Sequence, residues 1–224
     1  MSYIERTVAR PGTSPVLATN KVLRNTYALL AMTLLFSAAM AGVSMAITLS
    51  PVVSMICTLG AFGLIWLALP RTQDSAAGIA VVFGIAGLLG LGLGPMLSHY
   101  FSVPGGPRIV ATALGGTGVV FLGLSGYALT SKRDFSFMGG FLFTGLVVVL
   151  IAMIANLFLN IPALSLAMSG AIVLLMSGLI LFDTSRIING GETNYIRATV
   201  ALYLDIYNLF VSLLHLLGVF GGEE

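Results

Sequence analysis

The chain has 224 residues, of which 58% are hydrophobic and only 8% charged, with a formal net charge of +2. A soluble domain carries about 25% charged residues, so this composition excludes one. With no Lys/Arg block interleaved with aromatics, it also excludes nucleic acid as a partner. What remains is an all-α, polytopic membrane protein.

Residues 1–24 are polar, contain Pro11 and Pro15, and have none of the apolar core of a cleavable signal, so they are expected to form a flexible tail. The run from Tyr27 to Leu49 exceeds the roughly 20 residues a spanning helix requires and is expected to be an uncleaved anchor. Charge, Pro and Gly then mark seven apolar stretches, at about 26–49, 51–69, 76–98, 108–130, 138–159, 163–188 and 195–219. Ser50-Pro51 and Asn160 to Pro162 are such short connections that their flanking helices are expected to be antiparallel neighbours. In the second span, Cys57 is the only cysteine, so no disulfide framework or cysteine-built metal cluster can form within the chain, and it is expected to be a small buried residue. The glycine runs "GIAGLLGLGLGP" and "LGGTGVVFLGLSG" lack the strand and the lysine of a phosphate-binding loop, so close helix packing is their expected role. Pro95 is expected to kink the third span or end its regular part.

Basic residues set the orientation. Arg6, Arg10, Lys21, Arg24, Arg71, Lys132, Arg133, Arg186 and Arg197 fall on one side and Arg108 alone on the other, which puts the N-terminus in the cytoplasm and the acidic "GGEE" end outside.

Ionisable side chains inside hydrocarbon are costly and point to function. Two acids qualify, Asp183 in "LILFDTSRII" and Asp205 in "LYLDIYNLF", on adjacent antiparallel helices joined by "NGGETN". At about 100° per residue, Ala198, Ala201, Asp205, Asn208, Ser212 and His215 share one arc of the seventh span, and Ser165, Ser169 and Asp183 share a face of the sixth. Two facing polar seams are expected. Depth is the difficulty, because Asp183 lies about 9 Å from its helix end and Asp205 about 15 Å from its own. If the carboxylates meet they are expected to share a proton, as a proton-sensitive latch, and when ionised they are hard oxygen ligands for a transient Ca²⁺. The alternative is that Asp183 pairs with Arg186 one turn away while Asp205 bonds Asn208 or a tyrosine.

"GLSG" with Ser125 and "HLLGVFGG" with His215 look like the serine and histidine motifs of rhomboid intramembrane proteases. Spans four and seven run in opposite directions, however, which separates Ser125 from His215 by something like 20 Å, against the reach of about 3 Å that nucleophile and base need. His99, at the outer end of span three, is expected to be interfacial. No catalytic residue and no cofactor is expected.

From Asn20 to Gly218 the chain resembles the Bax inhibitor-one family, also called TMBIM. The similarity is carried by "LFDTSRIINGGETNYIRATVALYLDIYNLFVSLL", and "TNKVLRNTYALLAMTLLFSA", "ALGGTGVVF", "SKRDFSFMGG" and "VVVLIAMIANLFL" are similar to its bacterial YccA-like branch. The resemblance implies the seven-helix Bax inhibitor-one fold with span seven near its centre. It implies an inner-membrane modulator of the ATP-dependent protease FtsH, working with HflK and HflC, in which the cytoplasmic tail gives the protease its grip. As the alternative it implies a pH-sensitive calcium leak controlled by an aspartate pair, matched here by Asp183 and Asp205, with Arg71 the one candidate for the arginine that pairs with the first aspartate in the closed state. The expected organisation is a tail at 1–24, a membrane domain at 25–219 and a short external end at 220–224.

Overall fold

The computed structural model describes residues 15–221. Seven helices among them are long and apolar enough to cross a membrane. They are α1 (Pro15–Ala46), α2 (Pro51–Thr72), α3 (Ala76–Ser102), α4 (Gly106–Ser131), α5 (Gly139–Leu159), α6 (Pro162–Ile188) and α7 (Tyr195–Gly221). α2 is not uniform, since Leu64–Ala68 form a π-helical stretch within it. Prolines in the first turn open α2, α4 and α6, where an N–H would be unpaired in any case. Left-handed residues close α4 at Lys132 and α5 at Asn160.

The expected tail is shorter than its predicted bounds. α1 begins at Pro15, and Val22 and Leu23 pack against the core, so residues 15–24 extend the first helix rather than precede it. Residues 1–14, the remainder of that tail, and 222–224 of the C-terminal end lie outside the described residues.

α7 is the axle of the bundle, packed by α1, α3, α4 and α6. Leu202, Leu209 and Leu214 of this helix are fully buried, each in a different one of the three apolar clusters that make up the core. α2 leans on α3 and α5 on α6, which leaves both at the periphery with large apolar side chains such as Trp66 and Phe158 turned outward. In a bilayer such side chains face lipid, which is as apolar as they are.

One of the two predicted hairpins packs as expected and the other does not. α5 and α6 are neighbours, and their reversal is held by Asn156, whose amide accepts from Ile161 N at 2.9 Å and donates to Ser165 Oγ at 2.7 Å. α1 and α2 share a short turn yet diverge from it, each making its main contact with α3. The cause is the glycine face of α3. A Cβ on Gly90 would lie 2.4 Å from the Ser37 carbonyl oxygen, and one on Gly94 1.9 Å from Ser44 Oγ, so α1 approaches α3 more closely than any side chain permits.

Pro95 neither ends nor interrupts α3. A proline leaves the carbonyl four residues earlier without its helical donor, here that of Leu91. Ser44 Oγ of α1 supplies the donor at 2.8 Å, while Ser54 Oγ of α2 donates to the neighbouring Gly92 carbonyl at 2.5 Å. Neighbouring serines thus replace the missing hydrogen bond where water cannot.

The glycines of α4 behave differently. Added Cβ atoms at Gly115, Gly118, Gly123 and Gly126 would meet nothing within 4 Å and one at Gly116 would make only an ordinary 3.7 Å contact with Leu213, so the close approach expected of both runs is confined to α3. α4 instead rests on its neighbours through buried residues such as Val110, Ala113, Ser125 and Ala128.

Candidate functional site

The structure brings the two intramembrane acids together. Asp183 of α6 and Asp205 of α7 have their carboxyl groups within hydrogen-bonding reach of each other. The depth mismatch is closed by stagger: Asp205 lies ten residues into α7 and Asp183 five from the end of α6. α7 therefore overhangs α6 by about 7 Å at the end where the basic loops gather. The overhang is anchored from outside the pair, because Asn194 donates to the Gln73 carbonyl at 3.0 Å and to Asp74 Oδ1 at 2.7 Å.

Asp205 is buried, and its Oδ2 has no hydrogen-bond partner among the described residues. Two anionic carboxylates at this range, one with an unpaired buried oxygen, would carry a large desolvation penalty and repel each other. A single proton held between them removes both costs, because it supplies the donor and cancels one charge. Sharing one proton is thus the chemistry that two carboxyls so placed can offer.

Its flanks are partly charged. Arg186 NH1 stands 3.8 Å from Asp183 Oδ1, packs over the Phe182 ring at 5.5 Å, and reaches Glu192 Oε2 at 3.9 Å. Glu192 in turn accepts from Arg197 at 2.9 Å and from the Asn194 backbone N–H at 2.8 Å. A chain of alternating charge thus runs from the membrane-embedded acid to the connecting turn. Burial pushes the Glu192 carboxyl up, but the hydrogen bonds from Arg197 and Asn194 and the charges of Arg197 and Arg186 outweigh it, so it stays below the usual glutamate range. A carboxyl depressed in the folded state stabilises at pH above its unfolded value, about 4.3, and that contribution is lost as pH falls through the folded value. Amide hydrogen exchange across residues 189–194 should accordingly be slow near neutral pH. After correction for intrinsic exchange, it should lose protection below about pH 4, and Glu192→Gln should remove that pH dependence.

The other predicted seam residues are placed as follows. Asn208 donates to the Leu204 carbonyl of its own helix at 2.8 Å and does not bond Asp205. Ser212 is buried on α7. Arg71 is exposed and folds back onto the Leu67 carbonyl, so it does not reach Asp183. The cause is position: Arg71 lies in the last turn of α2, beyond the π stretch, and the arginine beside Asp183 is Arg186. Among the described residues, no cluster of three His, Cys, Asp or Glu side chains could hold a metal. Ca²⁺ takes six to eight oxygens, more than the four that this pair of carboxyls carries.

Ser125 and His215 are far apart. Ser125 Oγ bonds Tyr27 and accepts from Thr184 at 3.4 Å, whereas His215 Nδ1 pairs with Ser169 Oγ at 2.7 Å. Thr184 and Ser169 are separated by fifteen positions of α6, about 22 Å of helix. Glu192 is hidden in the sequence because it sits in a turn, where an acid is ordinarily solvated. The one signal for it is two arginines, Arg186 and Arg197, bracketing a single acid across that turn.

A family model described as inhibitor of apoptosis-promoting Bax1 matches residues 19–222, the whole bundle with its aspartates. The chain belongs to the Bax inhibitor-one family. In this family it is 53% identical over 204 residues to the modulator of FtsH protease YccA of Escherichia coli strain K12, covering 91% of this chain and 92% of that protein. It is as similar to the inner membrane protein YccA of a second Escherichia coli strain, CFT073, over the same shares. An uncharacterized membrane protein of Vibrio cholerae is 50% identical over 208 residues, 93% of each chain. The Bax inhibitor-one fold here is thus a seven-span membrane bundle wound around α7, with the buried Asp205 and the partly buried Asp183 on the α6–α7 pair.

Proposed function

We propose that this protein is a bacterial inner-membrane modulator of the ATP-dependent protease FtsH, acting on the FtsH-HflKC complex by binding rather than by catalysis. The observation that carries this is similarity at 53% identity, across 91% of the chain, to a protein named a modulator of FtsH protease. Orientation supports it. By sequence position, nine of the ten Lys and Arg residues fall in the segments that the charge rule assigns to the cytoplasm, the side on which residues 1–14 would then meet the protease. The packed bundle resists extraction while the tail is held. Purified FtsH-HflKC should co-purify with the full chain, and degradation of a second membrane substrate should slow when the chain is present. Deleting residues 1–14 should weaken both effects. Unchanged degradation despite full incorporation in the same bilayer would sink the proposal.

A second function is favoured by the contact between Asp183 and Asp205: a proton-gated leak for Ca²⁺. Protonation holds the pair closed, and ionisation separates the carboxylates and offers their oxygens to the passing ion. Both functions can reside in one molecule, since the first uses the tail and the second the α6–α7 seam.

A further inference from the structure

The face of α7 opposite Asp205 is not fully covered by protein. α1 and α4 both lean on α7 without packing extensively on each other. Between them lies a cavity of about 460 Å³, floored by Tyr203, Ile206 and Phe210 of α7. Its rim is exposed at Ala38 and Gly42 of α1 and Leu114 of α4, so it opens sideways at the depth where the bilayer surrounds the bundle.

The shape of this groove selects its occupant. On α1 it runs from Leu34 to Met45, about 16 Å, close to the 15 Å of one leaflet's hydrocarbon. Over that length, a cavity of about 460 Å³ is too small for a helix 10–12 Å across and large enough for a single hydrocarbon chain. No charged side chain lines it. Of the polar side chains in its wall, three are engaged within the protein, Ser37 Oγ with Tyr203 OH at 2.7 Å and Thr117 Oγ1 with the Ala113 carbonyl at 2.7 Å, and the fourth is the phenol of Tyr207. The wall is continuous with the lipid-facing surface, so an occupant can enter without leaving the membrane.

We propose that this groove holds one acyl chain of a membrane phospholipid, from the leaflet remote from the basic loops, as a fixed part of the bundle. The chain completes the packing of α7 behind the aspartate-bearing face. It is selected by the length and width of its tail, since no charge lies in the groove to grip a headgroup.

The test is photolabelling of the full-length protein in nanodiscs containing a phospholipid with a diazirine midway along one acyl chain, with adducts mapped by peptide mass spectrometry. Adducts are expected on Ile206, Tyr207 or Phe210 of α7, in addition to the outward faces of α2 and α5. Gly42→Leu and Gly118→Leu each place a side chain in open space within the groove. Each should lower α7 labelling by about tenfold, because a leucine displaces several methylenes of the occupant. Gly115→Leu, also in open space but outside the groove, should not. The proposal is overturned if wild-type α7 stays unlabelled while α2 and α5 are labelled, or if α7 labelling survives in either plugged variant. Labelling by a diazirine fatty acid but not by the phospholipid would overturn it as well.

Discussion

Asp205→Asn is expected to reduce Ca²⁺ entry into liposomes to the level of empty vesicles at every step between about pH 6 and pH 8, a range over which the proposed leak makes wild-type flux vary with pH. The reason is the carboxyl of Asp205, buried beside Asp183 with one oxygen unpaired. An asparagine there carries a permanent N–H donor and no charge, so it satisfies Asp183 at every pH and removes the repulsion that ionisation would create. Asp183→Asn should also abolish the pH dependence, for a different reason. It takes the acid from Arg186, which then faces Glu192 alone, and leaves Asp205 as the one buried acid of the seam. Both variants should stay folded, because Asn replaces Asp with nearly equal volume. Wild-type flux no greater than that of empty liposomes, or full pH-dependent flux in both variants, would remove the leak and leave the pair a structural latch. Binding to FtsH should be the same in all three proteins.

Gly94→Ala should destabilise the bundle by roughly 2–6 kcal/mol, summing the cost of overpacking with that of leaving a buried carbonyl unpaired. The new Cβ would lie 1.9 Å from Ser44 Oγ and 2.4 Å from Ser44 Cβ, so α1 must retreat from α3. That retreat breaks the Ser44 hydrogen bond to Leu91, the carbonyl orphaned by Pro95. Gly42→Ala is the matched control, since its Cβ meets nothing within 4 Å. Thermal unfolding in detergent distinguishes the two: a large fall in Tm for Gly94→Ala alone supports the account, and equal Tm values reject it.

Part of the candidate site is legible in the sequence. Two acids in otherwise apolar helices stand out because hydrocarbon penalises them, and the short "NGGETN" turn makes their helices neighbours. Their contact is not legible there. Equal counting from the turn places them at different depths, and what brings them level is the overhang of α7, tied by Asn194 to Gln73 and Asp74 on a loop about 120 residues away in sequence. The same limit hides the partners of Asn208 and Arg71. Helical periodicity says which face a side chain takes, but not whether a neighbouring group or its own helix carbonyl offers the nearer acceptor.

What the sequence determined by itself is set by solvent. Apolar runs of some twenty residues form helices in hydrocarbon, because a helix alone pairs every backbone group within a single segment, so seven spans could be read from composition and punctuation alone. How those helices lean on one another was decided only in three dimensions. Both glycine-rich runs read alike, yet α3 uses its glycines to admit α1 while four of the five in the α4 run face open space. Two equally short turns read as equivalent hairpins, yet only α5 and α6 stay packed. Between apolar helices in an apolar solvent the hydrophobic effect chooses no partner. The choice falls to shape and to a few buried hydrogen bonds, such as Ser44 on the carbonyl that Pro95 sets free, and these exist only once distant segments have met.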